Sequence, residues 1–256
     1  VQTTNRITGL PTRLAMAGVA QKQARVAADD IAGRPAVFTG VVGTAVLRLF
    51  GTTISMTGLN IDTLTRSGDS DYEYVDGHHT QHVGYYPGAS PIHARLVYRR
   101  SDGKLLGYTA IGESGAARRT DVVAALLACN ATVHDLAAAE LSYSPQEGSP
   151  KDAVNQLALA AVNNLEGLHP IAHKDDINAD SFLLDVREPA EVLQAPYPGA
   201  VNIPLSQLRA RVQELPHEQK ILVFCQSGVR GHTATALLNN MNYQACHLSG
   251  GYLTIS

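Results

Sequence analysis

The sequence predicts an α+β unit with an antiparallel sheet, followed by an α/β unit with a parallel sheet, and three observations carry that reading. From Ala36 to Gly112 the chain passes through runs rich in β-branched and aromatic residues, "TAVLRLF", "GTTISMTG", "YEYVDGHHT" and "PIHARLVYRR". Two helical patterns follow them. Beyond "GLHPIAHKDD" short apolar runs alternate with helical stretches, which implies parallel strands with helices on both faces of the sheet. The 256 residues, 45% of them hydrophobic, suffice for two cores, with a boundary near residue 168.

In chain order, residues 12 to 34 carry apolar residues at helical spacing (Ala24, Val26, Ala27, Ile31), and Gly33 suits the stop. The first ten residues show no partner. "SDGK" (Ser101 to Lys104) joins two strand-like runs as a tight hairpin would. The stretch "RRTDVVAALLACNA" places Val122, Val123, Leu126 and Leu127 on one helical stripe, and Cys129 is expected in that apolar company. Ser149, Pro150 and Asp152 open a second helix through Val154, Leu157, Ala158, Ala161 and Leu165, and Gly167 ends it. "FLLDV", "SQLRARVQEL", "ILVFC", "TATALLNNM" and "ACHLSG" then alternate strand with helix.

A net charge of -3 with no Lys/Arg tract argues against nucleic acid as a partner. No apolar run is long enough to span a bilayer and the start lacks the order of a signal peptide, so a cytoplasmic protein without a membrane partner is expected. Three cysteines without a CxxC pair point away from a disulfide framework or a structural zinc. His78, His79 and His82 do not make a metal site, because strand alternation sends neighbours to opposite faces. Cys246 is expected to pack the last strand.

The chemistry concentrates at "CQSGVR" (Cys225, Gln226, Ser227, Gly228, Val229, Arg230), with Gly231 behind it. Ligands of a parallel α/β sheet collect beyond the carboxyl ends of the strands, where both Cys225 and Asp185 fall. Gly228 and Gly231 permit a tight turn into a helix through Ala234, Leu237, Leu238 and Met241. Loop amides, the helix dipole and the fixed charge of Arg230 favour a thiolate at Cys225.

This loop resembles the six-residue active-site loop of rhodanese domains. "LLDVREPAE" resembles their Asp-x-Arg segment, and "PGAVNIPL" and "LSGGYL" their flanking signatures, over about 85 residues. The resemblance implies that Cys225 takes sulfane sulfur as a persulfide and passes it to a thiol or cyanide. It further implies that Arg230 stabilises the anion while Asp185 and Arg187 shape the rim. The family's usual Gly-His-Ile ahead of Pro-Gly-Ala is replaced here by "QAPYPGA".

The first half, through "HVGYYPGASPIHARLVY", "TVHDLAAAELSYSP" and "SPKDAVNQLALAAVNN", resembles the dimerisation domain of pyridine nucleotide-disulfide oxidoreductases, nearest the coenzyme A-disulfide and NADH-dependent persulfide reductases. The organisation implied is a tail of an FAD-binding domain (1–34), a dimerisation domain (35–167) and a rhodanese domain (168–256). A homodimer is implied, with Tyr85 and Tyr143 reaching the partner's flavin site. FAD, NAD(P)H and coenzyme A are implied for the full-length enzyme. This chain alone has no GxGxxG and is expected to bind no cofactor and to reduce nothing. A sulfurtransferase using a sulfane-sulfur donor and a thiol acceptor is thus the leading expectation. The competing one is a non-catalytic association module left from a truncated flavoprotein. A cysteine phosphatase or arsenate reductase is disfavoured, because four residues rather than five separate Cys225 from Arg230.

Overall fold

The structure is a computed structural model that describes residues 2–256. The first residues are paired, contrary to expectation: β1 (Thr3–Thr4) lies antiparallel to β2 (Pro11–Thr12), and the Arg6 amide donates to the Val41 carbonyl at 2.9 Å. The intervening turn is local, which is why no strand pattern announced it. α1 (Ala17–Ile31) follows and buries none of its residues.

The antiparallel sheet contains β3 (Ala45–Leu49), β4 (Thr52–Gly58), β5 (Tyr72–Thr80), β6 (Pro91–Arg99) and β7 (Leu105–Gly112) in the order β3-β4-β7-β6-β5. A short helix, α2 (Ile61–Ser67), capped by Asn60, interrupts it between β4 and β5. The turn between β6 and β7 is built by Asp102, which accepts from the Lys104 amide at 3.0 Å, and by Gly103 at φ +70°. One face of the sheet carries α3 (Ala116–Ala128), α4 (Val133–Ala138) and α5 (Ala153–Leu165). Leu96, Tyr98, Tyr108, Val123, Leu136, Val154 and Leu157 fill the space between. Asp152 caps α5 by accepting from the Val154 amide, and the same carboxylate grips the buried Arg119 at 2.7 Å. Cys129 is exposed, not core: it is the residue that terminates α3, beyond the reach of the stripe that buries Val123 and Leu127.

The parallel sheet contains β8 (Ile171–Ala172), β9 (Phe182–Asp185), β10 (Val201–Asn202), β11 (Ile221–Phe224) and β12 (Ala245–Leu248) in the order β10-β9-β11-β12-β8. α6 (Pro189–Gln194), α7 (Leu205–Arg211), α8 (Val229–Asn239) and α9 (Tyr252–Ile255) complete the unit. β11 is buried along its whole length, as a central parallel strand must be. Ile221 and Val223 pack on one face with Ala234 and Leu238, while Leu222 and Phe224 pack on the other with Leu248 and Ile255.

The two sheets meet along β5. The Asp76 amide donates to Ser249 Oγ at 2.7 Å, His78 Nε2 lies 2.8 Å from Thr254 Oγ1, and His173 Nε2 lies 2.7 Å from Glu73 Oε1. Tyr74 stacks on the His173 ring at 3.7 Å. This seam brings the cysteine loop against the first unit.

Candidate active site

Cys225 follows the last residue of β11, and the chain turns at Gly228 (φ +100°) into α8. Only glycine adopts that conformation without strain, so the turn is written in the sequence. The Gly228 amide donates to Cys225 Sγ at 3.2 Å, and Cys225 itself is only 1% exposed. α9 holds the loop from behind: the Tyr252 amide donates to the Cys225 carbonyl at 2.7 Å and the Leu253 amide to the Gln226 carbonyl at 3.1 Å. This requires Gly251 at φ +61°, where a Cβ would strike the Cys225 carbonyl and the Gly228 nitrogen. Gln226 and Ser227 are half-buried, Val229 is exposed, and Gly231 is buried where α8 crosses β11.

Asp185 and Arg187 do not form the rim. They are 1% and 0% exposed and pair internally, with Arg187 Nη2 2.7 Å and Nε 3.0 Å from the carboxylate. The Asp185 carboxylate also accepts from the Arg187 amide, so the Asp-x-Arg spacing folds the pair back on itself. Arg187 extends to the Ala195 carbonyl at 2.9 Å and to Gln226 Oε1 at 3.4 Å, with its guanidinium 4.2 Å from the Tyr252 ring. The pair therefore ties β9, the end of α6, the cysteine loop and α9 together. Tyr197, in the "QAPYPGA" segment, completes this cluster by packing 5.3 Å from the Phe224 ring.

Arg230 is held by a residue that sequence reasoning passed over. Its Nη1 and Nη2 donate to Glu191 Oε2 and Oε1 at 2.6 and 2.7 Å. Glu191 also accepts from the Glu188 amide at 2.9 Å, closing a capping box on α6. These bonds, the Arg230 guanidinium first, pull the Glu191 carboxyl down to about 2, and Glu191 together with the nearby charge of Cys225 raises Arg230. The signal was present: Glu191 is the last residue of "LLDVREPAE".

Behind the loop lies a cavity of about 350 Å³ between the units, lined by Ser227, Gly228, Val229, His79, His232 and His247 among others. His247 is 4% exposed, and neither of its ring nitrogens has a hydrogen-bond partner among the described residues. Nothing in a single strand pattern reveals this cluster, because β5, α8 and β12 contribute one imidazole each. His78 and His79 do point apart: His78 Nδ1 lies 2.7 Å from His93 Nδ1, while His79 faces the cavity. His82 is buried beside Gln81 and the Pro87 carbonyl.

Tyr85 and Tyr143 lie far from this loop in sequence and are 78% and 45% exposed. They meet each other: a hydrogen bond with Tyr85 raises the Tyr143 phenol. Cys246 is half-buried in β12, and burial raises its thiol. No strand–GxGxxG–helix unit occurs in the sequence. No described helix is long and apolar enough to cross a membrane.

Two family models match the chain. Residues 45–153 match the pyridine nucleotide-disulphide oxidoreductase dimerisation domain, and residues 170–256 match the rhodanese-like domain. CoADR-RHD of Bacillus anthracis, in its reduced form, superimposes with a TM-score of 0.96 at 35% identity, over 100% of this chain and 46% of its own. An NAD-dependent persulfide reductase from A. fulgidus superimposes with a TM-score of 0.88 at 30% identity, over 98% of this chain and 46% of its own. The coenzyme A disulfide reductase of Staphylococcus epidermidis is 32% identical over 157 residues, 61% of this chain and 35% of that protein. The chain thus spans about a third of that curated relative and just under half of the two solved ones. Within it, residues 45–153 form a pyridine nucleotide-disulphide oxidoreductase dimerisation domain and residues 170–256 a rhodanese-like domain.

Proposed function

We propose that this chain is a sulfurtransferase in which Cys225 accepts a sulfane sulfur from a donor and passes it from the resulting persulfide to a thiol acceptor. The observation that carries this reading is the loop itself: Cys225 Sγ accepts from the Gly228 amide at the mouth of α8, with Arg230 beside it. A terminal persulfide sulfur is an anion that such a set of amide and guanidinium donors holds. Gln226, Ser227, Val229 and Gly231 complete the cradle, and Asp185 and Arg187 fix it from within. Incubation with thiosulfate or glutathione persulfide should add one sulfur to the Cys225 peptide, and cyanide or a small thiol should then remove it. Cys225→Ser should abolish transfer, because a hydroxyl cannot carry the sulfane sulfur. Sulfur appearing on Cys246 instead would defeat the reading.

The attached half supports a homodimer that serves a flavin-dependent reductase. Residues 1–34 are read, from the family resemblance, as the tail of an FAD-binding domain; α1 buries none of its own residues. The dimerisation domain is taken as 35–167 and the rhodanese domain as 168–256. Tyr85 and Tyr143 would then face the partner's flavin site. By analogy with the similar reductases, coenzyme A disulfide or a persulfide would be the substrate of the longer enzyme, with FAD and NAD(P)H as its cofactors. Three free cysteines suit a reducing compartment such as the cytoplasm. A second reading, a non-catalytic association module, draws on Val46, Leu47, Leu49 and Phe50, which stand exposed on and beside β3. A chain that dimerises but never loads sulfur would favour it.

A further inference from the structure

The helix that backs the cysteine loop is itself held from outside its own unit. α9 is a single turn, too short to persist as a helix without support. It nonetheless carries the loop, because the Tyr252 amide donates to the Cys225 carbonyl at 2.7 Å and the Leu253 amide to the Gln226 carbonyl at 3.1 Å. A trans peptide points its N–H opposite to its C=O, so these two bonds aim the Gln226 and Ser227 amides away from α9. Neither amide donates to another backbone group among the described residues. Both are left for an anion at Cys225, beside the Gly228 amide that already reaches Sγ.

Ile255 anchors one face of α9 in the core of the parallel unit, and β5 holds the other. β5 is the outer strand of its sheet and pairs only with β6, so its other edge presents unpaired backbone groups. From that edge the Asp76 amide donates to Ser249 Oγ, while His78 Nε2 meets Thr254 Oγ1 on α9. The approach is close: a Cβ on Gly250 would stand 3.0 Å from both Asp76 Cβ and His78 Nε2. The His78 ring is fixed in turn by His93 on β6, whose Nδ1 lies 2.7 Å from its own Nδ1, a contact that needs one proton between the two nitrogens. Either placement of that proton leaves His78 Nε2 able to bond the Thr254 hydroxyl, as acceptor or as donor. We propose that His78 is a positioning residue for the cysteine loop, acting through Thr254 and α9 on the peptide planes that follow Cys225, so that the antiparallel unit forms part of the sulfur site. Its consequence for rate rests on the sulfurtransferase reading; its consequence for the loop does not.

The test is single-turnover loading of Cys225 by thiosulfate in the full chain, read as added sulfur mass on the Cys225 peptide, together with hydrogen exchange of residues 225–231. Thr254→Val keeps the shape and removes the hydroxyl, and should slow loading about three- to tenfold, the loss expected for one hydrogen bond. His78→Leu should do the same, and the double variant should be no slower than the slower single one, because both changes remove the same bond. Thr254→Ser and His78→Gln keep a hydroxyl and a side-chain amide at the contact and should load at close to the wild-type rate, a rescue that a side chain needed only for packing would not show. Exchange at 225–231 should rise in the two slow variants and stay at the wild-type level in the two conservative ones. Wild-type rates in both Thr254→Val and His78→Leu, additive losses, or conservative variants as slow as the disruptive ones overturn the proposal. The Thr254 variants decide it even if His78→Leu folds poorly. A wild-type chain that takes no sulfur overturns the sulfurtransferase reading, and loop exchange then decides this one: unaltered exchange in Thr254→Val overturns it, and raised exchange upholds it.

Discussion

Replacing Asp185 by Ala should destabilise the rhodanese-like unit more than any surface change near the loop. Asp185 accepts from the Arg187 amide, Nε and Nη2 at 3.0, 3.0 and 2.7 Å, and both side chains are essentially inaccessible. Removing the carboxylate leaves a buried guanidinium with only the Ala195 carbonyl and the long contact to Gln226. Breaking one side of a buried pair costs roughly 3 to 5 kcal/mol, because the remaining charge is uncompensated. For a unit of this size that corresponds to a fall in melting temperature on the order of 15 to 30 °C. The assay is thermal unfolding of the full chain, with protection of the β11 amides against hydrogen exchange reporting on this unit specifically. A double variant, Asp185→Leu with Arg187→Met, should lose less than the sum of the two single variants, because it leaves no orphaned charge. An Asp185→Ala chain within about 1 kcal/mol of wild type, or strictly additive losses, would refute the argument that this pair holds the loop.

Other outcomes follow from the same geometry. Gly251→Ala should displace the cysteine loop, since its Cβ would meet the Cys225 carbonyl, and sulfur loading on Cys225 should drop severely while the antiparallel unit keeps its protection. Burial holds His79 and His232 at about 4 and His247 at about 3, each against an ordinary 6.5. The unfolded chain therefore binds more protons between those values, and unfolding free energy should fall as pH drops from about 6.5 towards about 4. His247→Phe should flatten that slope in a denaturant titration series; an unchanged slope would exclude this imidazole as its source. Differential alkylation with a bulky maleimide should label exposed Cys129 first and Cys246 last, whereas a small haloacetamide should also reach Cys225.

The sequence alone determined the two sheet types, the order of their strands along the chain and the cysteine loop. It could do so because those features are local: period-two runs mark β3 to β7, a short buried run marks β11, and Gly228 marks a turn that glycine makes easily. It also located Asp185 and Arg187, whose two-residue spacing is what lets the carboxylate accept from both the amide and the guanidinium. Their place in the interior, not at the rim, was decided by the sheet, because β9 is flanked by β10 and β11 and its end is covered by α6 and α9. Cys129 went the other way: an apolar stripe predicted burial, but the helix ends there and leaves the thiol in solvent. Only the tertiary structure paired Glu191 with Arg230, 39 residues apart, and gathered His79, His232 and His247 from separate elements around one cavity. Contacts of that kind have no period to read, since they depend on how independently patterned elements cross once their apolar faces have been buried.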